Sequence, residues 1–317
     1  MNILIAIDSF KGSLTSREAN NAVKKAFETV MDVHSTSVCL ADGGDGTIDA
    51  LKDAVKGHVR VETAHDSLMR MKEGRYLTFA NDFALIELAE TSGLSDLKNN
   101  EKNPLHTSTF GVGEQFKSAV ENGAKHIHIG IGGSSTNDGG MGFLNALGVR
   151  FFDDLGKSLP PTGASLKRVH SIEDTEVLKE YGDIDITLLC DVNNPLTGKN
   201  GAARVYGPQK GASEKTVSLL EEGLEHYAHL LGVPKSTRTL PGMGAAGGFP
   251  LSLMRYFDTE IKNGFDVIRE LTDLDDHVKA SYLVITGEGV IDKSTLNDKA
   301  PFKLGRLAHD RKKTVIA

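Results

Sequence analysis

Ile127-His128-Ile129-Gly130-Ile131-Gly132-Gly133-Ser134-Ser135-Thr136-Asn137-Asp138-Gly139-Gly140-Met141-Gly142-Phe143-Leu144-Asn145-Ala146 is the stretch from which the fold of this chain is read. Ile127, Ile129 and Ile131 alternate with small or polar residues, the period of a strand. Gly132 to Gly142 then holds five glycines, two serines, a threonine, an asparagine and an aspartate. Phe143, Leu144, Ala146 and Leu147 resume at helical spacing. The order is strand, polar glycine loop, helix. Such a loop can present backbone N–H groups to an anion, and a helix N-terminus adds partial positive charge. The competing reading is a tight corner whose polar residues cap the helix. Capping needs one or two such side chains and five stand here in a row, so the loop reads as a phosphate site.

Outward from this stretch the same grammar repeats. Ile3 to Ile7 is a buried-strand run that stops at Asp8-Ser9-Phe10-Lys11-Gly12, and Thr15 or Ser16 caps a helix through about Val30. Ser37 to Leu40 is a second strand, followed by Ala41-Asp42-Gly43-Gly44-Asp45-Gly46-Thr47 and a helix containing Ile48, Leu51 and Val55. Strand, acidic glycine turn and helix in succession predict a parallel α/β sheet, with ligands beyond the carboxyl ends of the strands. Asp8, Lys11, Asp42 and Asp45 fall there. From Val59 to Glu90 short alternating runs predict antiparallel pairing and a change of domain. Gly111 to Asn122 reads as the helix feeding the central strand, and Val149 to Phe152 as a further strand. Ile184 to Cys190 is a strand ending at Asp191-Val192-Asn193-Asn194-Pro195-Leu196. A long amphipathic helix over Ser213 to Leu231 separates Gly207-Pro208-Gln209-Lys210-Gly211-Ala212 from a second glycine loop, Leu240 to Gly248. Tyr282 to Ile285 and Lys313 to Ala317 are the last strands, the former running into Thr286-Gly287-Glu288-Gly289-Val290-Ile291-Asp292.

At 317 residues the chain is long enough for two domains, and 39% hydrophobic with 25% charged residues is ordinary globular composition. Thirty-six basic against 43 acidic residues leave a net charge of −7, which argues against a nucleic-acid binder. Cys39 and Cys190 lie in apolar runs without metal-site spacing, so both are expected to be reduced and buried. Neither a signal-peptide pattern nor an apolar run near the roughly 18 residues of a membrane span is present. The expected compartment is the cytoplasm, with no membrane partner.

Gly242-x-Gly244-x-x-Gly247 fits the dinucleotide pattern, but no strand precedes it, and neither a P-loop nor a Gly-x-Ser-x-Gly elbow occurs. Phosphoryl transfer needs an anion cradle, Mg²⁺ held by carboxylates, cations on the phosphates, and a carboxylate to take the acceptor's proton. The glycine loop supplies the first. Acidic residues at five strand ends, Asp8, Asp42/Asp45, Asp138, Asp191 and Glu288/Asp292, offer the second and fourth, and Lys11 and Lys210 the third.

The blocks at Asp8–Lys11, Ala41–Thr47, Gly130–Gly140, Cys190–Leu196, Gly207–Ala212, Pro241–Gly248 and Thr286–Asp292 resemble, in family order, the signature blocks of the type-1 glycerate kinase family. The resemblance implies ATP-dependent phosphorylation of D-glycerate with Mg²⁺, most often to 2-phosphoglycerate, with 3-phosphoglycerate left open. It also implies an α/β fold in which a flavodoxin-like parallel-sheet domain carries a second, mixed α/β domain inserted into it. The change in periodicity puts the borders near Arg60 and Lys279, giving residues 1–60 plus 280–317 and residues 61–279. A monomer or homodimer is expected. Family members usually carry Gly-Pro-Leu-Gly where this chain has Asp66-Ser67-Leu68-Met69, and they continue past the position of Ala317, so the first domain is expected to be incomplete here.

Roles follow. Asp191 is read as the base for the acceptor hydroxyl, because it ends an apolar strand and is followed by Asn193, Asn194 and Pro195, which can orient polar groups and stiffen the turn. Asp138 is the runner-up. Lys11 is assigned to catalysis as the cation on transferred phosphate. Substrate or phosphate binding is assigned to Asp8, Ser9, Gly132, Gly133, Ser134, Ser135, Thr136, Asn137, Asn193, Lys210 and Glu288. The metal ligands are expected to be Asp138 and Asp45. The competing functions are a non-catalytic anion-binding or regulatory protein, a kinase of a related hydroxy acid, and a phosphatase using the same cradle.

Overall fold

The computed structural model describes residues 2–10, 13–174, 177–292, 295 and 299–317. Lys11, assigned above to catalysis, lies outside them. The strands in chain order are β1 (Asn2–Ile5), β2 (His34–Ser37), β3 (His58–His65), β4 (Met71–Phe79), β5 (Phe83–Glu87), β6 (His126–Gly130), β7 (Arg150–Phe152), β8 (Ser171–Glu173), β9 (Asp185–Leu189), β10 (Asp258–Lys262), β11 (Leu283–Ile285) and β12 (Thr314–Ile316). The chain is a mixed α/β protein in two compact units, Met1–Gly57 with Asn263–Ala317, and His58–Lys262.

In the first unit four parallel strands lie in the order β12-β11-β1-β2. Helix Ser16–Val30 joins β1 to β2. It starts at Thr15 because the Thr15 hydroxyl accepts from the Glu18 N–H at 3.2 Å while the Glu18 carboxylate accepts from the Thr15 N–H at 2.8 Å. Such a cap is worth about 0.5–2 kcal/mol. β1 is buried on both faces. Leu4 and Ala6 pack with Val38, Phe265, Leu274, Val278, Val284 and Leu304, and Ile3 and Ile5 pack with Ala19, Leu283 and Ile285. This explains the unbroken apolar run that marked the strand.

Two expectations are corrected here. The second strand is His34–Ser37 rather than Ser37 to Leu40; Val38 and Leu40 read as strand because they are buried, and the Val38 N–H still reaches the Ile5 carbonyl at 2.9 Å. The second border falls after Lys262 rather than near Lys279. Helices Gly264–Leu271 and Leu274–Ala280 place Phe265, Leu274 and Val278 in the first unit's core, and Gly264 packs against the Asp42 carbonyl so closely that a Cβ would sit 2.0 Å from it.

The second unit holds a six-stranded sheet in the order β10-β9-β6-β5-β4-β3. β10, β9, β6 and β5 run parallel, whereas β5-β4 and β4-β3 are antiparallel, as the alternating runs predicted. Helix Phe110–Glu121 makes the crossover from β5 to β6, its Val112, Phe116 and Ala119 packing on Ile127, Ile129 and Ile186. β7 and β8 form a separate antiparallel pair. The long amphipathic helix is Glu214–Leu230, capped by the Ser213 hydroxyl on the Thr216 N–H. Both cysteines are free, but Cys39 is half-buried and only Cys190 is buried as expected. Among the described residues no helix is long and apolar enough to cross a membrane.

Candidate active site

In the second unit the loop after β6 turns into the protein rather than outward. Gly132 and Gly133 stay at or near the surface, while Ser134 through Gly140 are buried. The backbone explains this. The Leu94 N–H donates to the Gly133 carbonyl at 2.8 Å, the Ser135 N–H and hydroxyl both donate to the Ser92 carbonyl, and the Gly139 N–H donates to the Gly247 carbonyl. Gly247, at φ +66°, lies so close that a Cβ there would stand 2.2 Å from the Thr136 carbonyl oxygen and 2.3 Å from Asn137 Cα, so only glycine fits. The second glycine loop is thus packing for the first. Of the loop read as an open anion cradle, the buried part is a cross-braced corner.

Asp138 organises that corner. One carboxylate oxygen accepts from the Thr109 N–H at 2.8 Å, the Thr109 hydroxyl at 2.8 Å and the Gly142 N–H at 3.1 Å, and the other from the Gly140 N–H at 3.2 Å. It therefore caps the helix that follows, which is only Met141–Ala146, and ties it to the start of helix Phe110–Glu121. Burial pushes this carboxyl above its ordinary value while the four donors pull it back. Asp138, expected to bind Mg²⁺ and to be the second candidate for the base, has no exposed surface in this structure, and its oxygens accept from donors within the fold.

Lys210, read as a phosphate-binding cation, is 2% exposed and lies inside the same corner. Its ammonium donates to the Ser134 hydroxyl at 2.8 Å and the Thr136 carbonyl at 2.7 Å. Burial lowers its pKa to about 7, with the Asp138 charge opposing the shift. Thr136 Oγ1 and both polar atoms of the Asn137 side chain are buried without a hydrogen-bond partner.

Asp191 lies two residues beyond β9. The parallel register pairs Gly130 with Leu189, and the Ile131 N–H reaches the Leu189 carbonyl at 3.3 Å, so the strand ends carrying Gly132 and Asp191 are neighbours. Asp191 and Asn193 are exposed. Asn194 is the anchor of this turn, accepting from the Tyr206 hydroxyl at 2.6 Å, donating to the Asn200 carbonyl, and accepting the Gly244 N–H on its own carbonyl.

In the first unit the acidic strand ends line up as the topology requires. The chain order reverses between β1 and β11, the switch point at which ligands bind in such sheets. There the Asp8 N–H donates to the Gly287 carbonyl at 2.9 Å and the Asp8 carboxylate accepts from the Ser9 N–H at 2.7 Å. Asn20 and Ser16 hold the two strand ends beside it: the Asn20 amide bonds the Ile7 N–H and the Val38 carbonyl, and the Ser16 hydroxyl bonds the Ile7 carbonyl and the Leu40 N–H. Asp42 and Asp45 are exposed beyond β2. Glu288 is paired with Lys299 at 2.9 Å and accepts from the Thr295 hydroxyl at 2.6 Å.

Mg²⁺ takes one or two carboxylates together with phosphate oxygens and water. Exposed Asp45 and Asp42 fit that donor set. Among the described residues no three His, Cys, Asp or Glu side chains converge into a ready-made metal centre. The reading from sequence missed Thr109 and Gly247. The hydroxyl run Thr107-Ser108-Thr109 before a helix was the available signal for the first; nothing local marks the second.

The profile of the Glycerate kinase family matches residues 3–317. A glycerate kinase of Halalkalibacterium halodurans is 38% identical over 99% of this chain and 84% of its own length. The glycerate 2-kinase of Escherichia coli K12 is 38% identical over 100% of this chain and 84% of its own. The crystal structure of a candidate glycerate kinase 2 from Salmonella typhimurium LT2 superposes with a TM-score of 0.89 at 36% identity, covering 99% of this chain and 85% of that one. A family match over residues 3–317, with relatives 36–38% identical over 99–100% of this chain, places the chain in the glycerate kinase family.

Proposed function

We infer that the chain catalyses the ATP-dependent phosphorylation of D-glycerate, with 2-phosphoglycerate as product. The observation that carries the reading is the family match running from residue 3 to residue 317, through every loop singled out above. In the mechanism we propose, Asp191 accepts the proton of the acceptor hydroxyl as the phosphoryl group is transferred, because it is an exposed carboxylate just beyond the carboxyl end of β9. Asn193 beside it orients the acceptor. Gly132 and Gly133 provide close backbone approach at the same strand ends, with Ser134 and Ser135 behind them. Asp8, Ser9, Lys11 and Glu288 take substrate or phosphate groups. Asp45, with Asp42, would hold Mg²⁺, which when bound screens charge on the phosphates.

The strand order β2-β1-β11-β12, third and fourth strands on the far side of the first, supports a flavodoxin-like first domain, with residues 58–262 as the insertion. We further propose a cytoplasmic monomer or homodimer, which sedimentation would distinguish. The test of the function is an ADP-release assay on this chain with D-glycerate against L-glycerate, tartronate and lactate. D-glycerate is expected to give the highest kcat/KM. Preference for another hydroxy acid would redirect the substrate, and glycerate binding without turnover would make this an anion-binding protein.

A further inference from the structure

Thr136 and Asn137 are the most enclosed residues of the glycine loop that carry side-chain polar groups without partners, each with 0% exposure. Among the described residues seven buried side-chain polar atoms lack a hydrogen-bond partner, and three of them are Thr136 Oγ1, Asn137 Oδ1 and Asn137 Nδ2. Buried polar groups are paired in the great majority of cases, so this concentration in two adjacent residues marks a place that something else completes. Capping does not use these atoms, since Asp138 serves the following helix. Bracing does not use them either, since the loop is held through Ser135, Gly139 and the Thr136 carbonyl.

The chemistry of the spot is specific. An amide offers a donor and an acceptor, a hydroxyl offers both, and the Lys210 ammonium on Ser134 and Thr136 adds a cation. The complement is a molecule with a hydroxyl, carbonyl-type oxygens and a negative charge. Its size is bounded by backbone. Gly247 abuts Thr136 and Asn137, and a Cβ on Gly163 would stand 2.9 Å from the Asn137 carbonyl oxygen.

We propose that Asn137 and Thr136 determine specificity for the hydroxy-acid acceptor, unpaired in the free protein and paired when the loop opens to seat a short hydroxy-carboxylate beside Lys210. The inference rests on the glycerate kinase reading and assigns the acceptor, not ATP, to this loop. The free loop is destabilised by its unpaired groups, and the acceptor that pairs them supplies the differential interaction that favours the open form.

The test uses Asn137→Leu and Thr136→Val, which keep approximate shape and remove the unpaired groups. Both are expected to melt at a higher temperature than the wild type, because a buried polar group without a partner is destabilising. Both should raise the KM for D-glycerate roughly tenfold while leaving the KM for ATP within about twofold. A lower melting temperature in both variants would mean that ordered water already satisfies these atoms, and would overturn the inference. So would an unchanged KM for D-glycerate, or a rise confined to ATP. If the wild-type chain turns over no D-glycerate, the functional reading fails separately, and calorimetric titration with D-glycerate decides: binding heat abolished by Asn137→Leu supports the inference, and equal or absent heat in the wild type overturns it.

Discussion

Asp138→Asn separates a structural carboxylate from a chemical one. The amide oxygen can keep the place that now accepts from Thr109 and Gly142, but the NH₂ then faces the Gly140 N–H, donor against donor. One buried N–H left unsatisfied costs about 1–3 kcal/mol, and the remaining bonds lose the strengthening that an ionised acceptor gives, about 1 kcal/mol. Relief from burying a charge, visible in the raised pKa of this carboxyl, offsets part of the loss, while Lys210 is left without its neighbouring anion. The net expectation is a destabilisation of about 2–4 kcal/mol. With a urea m-value of about 2 kcal/mol/M, the midpoint of the second unit should fall by roughly 1–2 M. The assay is urea unfolding by circular dichroism alongside steady-state kinetics below the transition, where kcat should stay within roughly tenfold of wild type. An unchanged midpoint with kcat lowered more than a hundredfold would refute the capping role and return Asp138 to the chemistry.

Asp191→Asn should do the reverse, lowering kcat by roughly 10²–10⁴ with the urea midpoint and the KM for ATP unmoved; near-normal kcat would remove Asp191 from proton transfer. Lys210→Met tests the buried ammonium through pH. The folded chain holds Lys210 near pKa 7 against an ordinary 10.5, so between these values the unfolded chain binds the extra proton and the wild type gains stability as pH rises. The variant lacks that slope, so melting curves of the two should be parallel below pH 7 and diverge in favour of the wild type above it; curves parallel to pH 10 would show an exposed, ordinary lysine. Met69 lies at φ +63° in the β3–β4 turn and is 43% exposed. Met69→Gly should raise stability by about 0.5–1 kcal/mol, since left-handed backbone costs an L-residue about 1–2 and added chain entropy takes back part; a lower melting temperature would mean that the methionine side chain contributes packing.

Much of the architecture was legible before any coordinates. Ile3 to Ile7 is buried on both sides, so its apolar run is unbroken, whereas in Ile184 to Cys190 the buried Ile186, Leu188 and Leu189 are interrupted by exposed Asp185 and half-buried Thr187; the two runs end at Asp8 and at exposed Asp191. The antiparallel hairpins were visible as alternation over Val59 to Glu90, because one face of those strands is less buried than the other. These signals are local, carried within a few residues. What the glycine loop does inside the fold is not local. Asp138 meets Thr109 from 29 positions away and Lys210 meets Ser134 from 76, and Gly247 closes on Thr136 from a different loop. A carboxylate in a polar glycine turn reads the same in sequence whether it faces solvent and a metal or four internal donors. Helices Gly264–Leu271 and Leu274–Ala280 were likewise assigned to the wrong unit, since an amphipathic face states that a helix packs but not against which sheet. Strand ends and their acidic turns were therefore set by short-range pattern, and the division of those acids into exposed and structural was set by which distant backbone groups needed a partner once the sheets had formed.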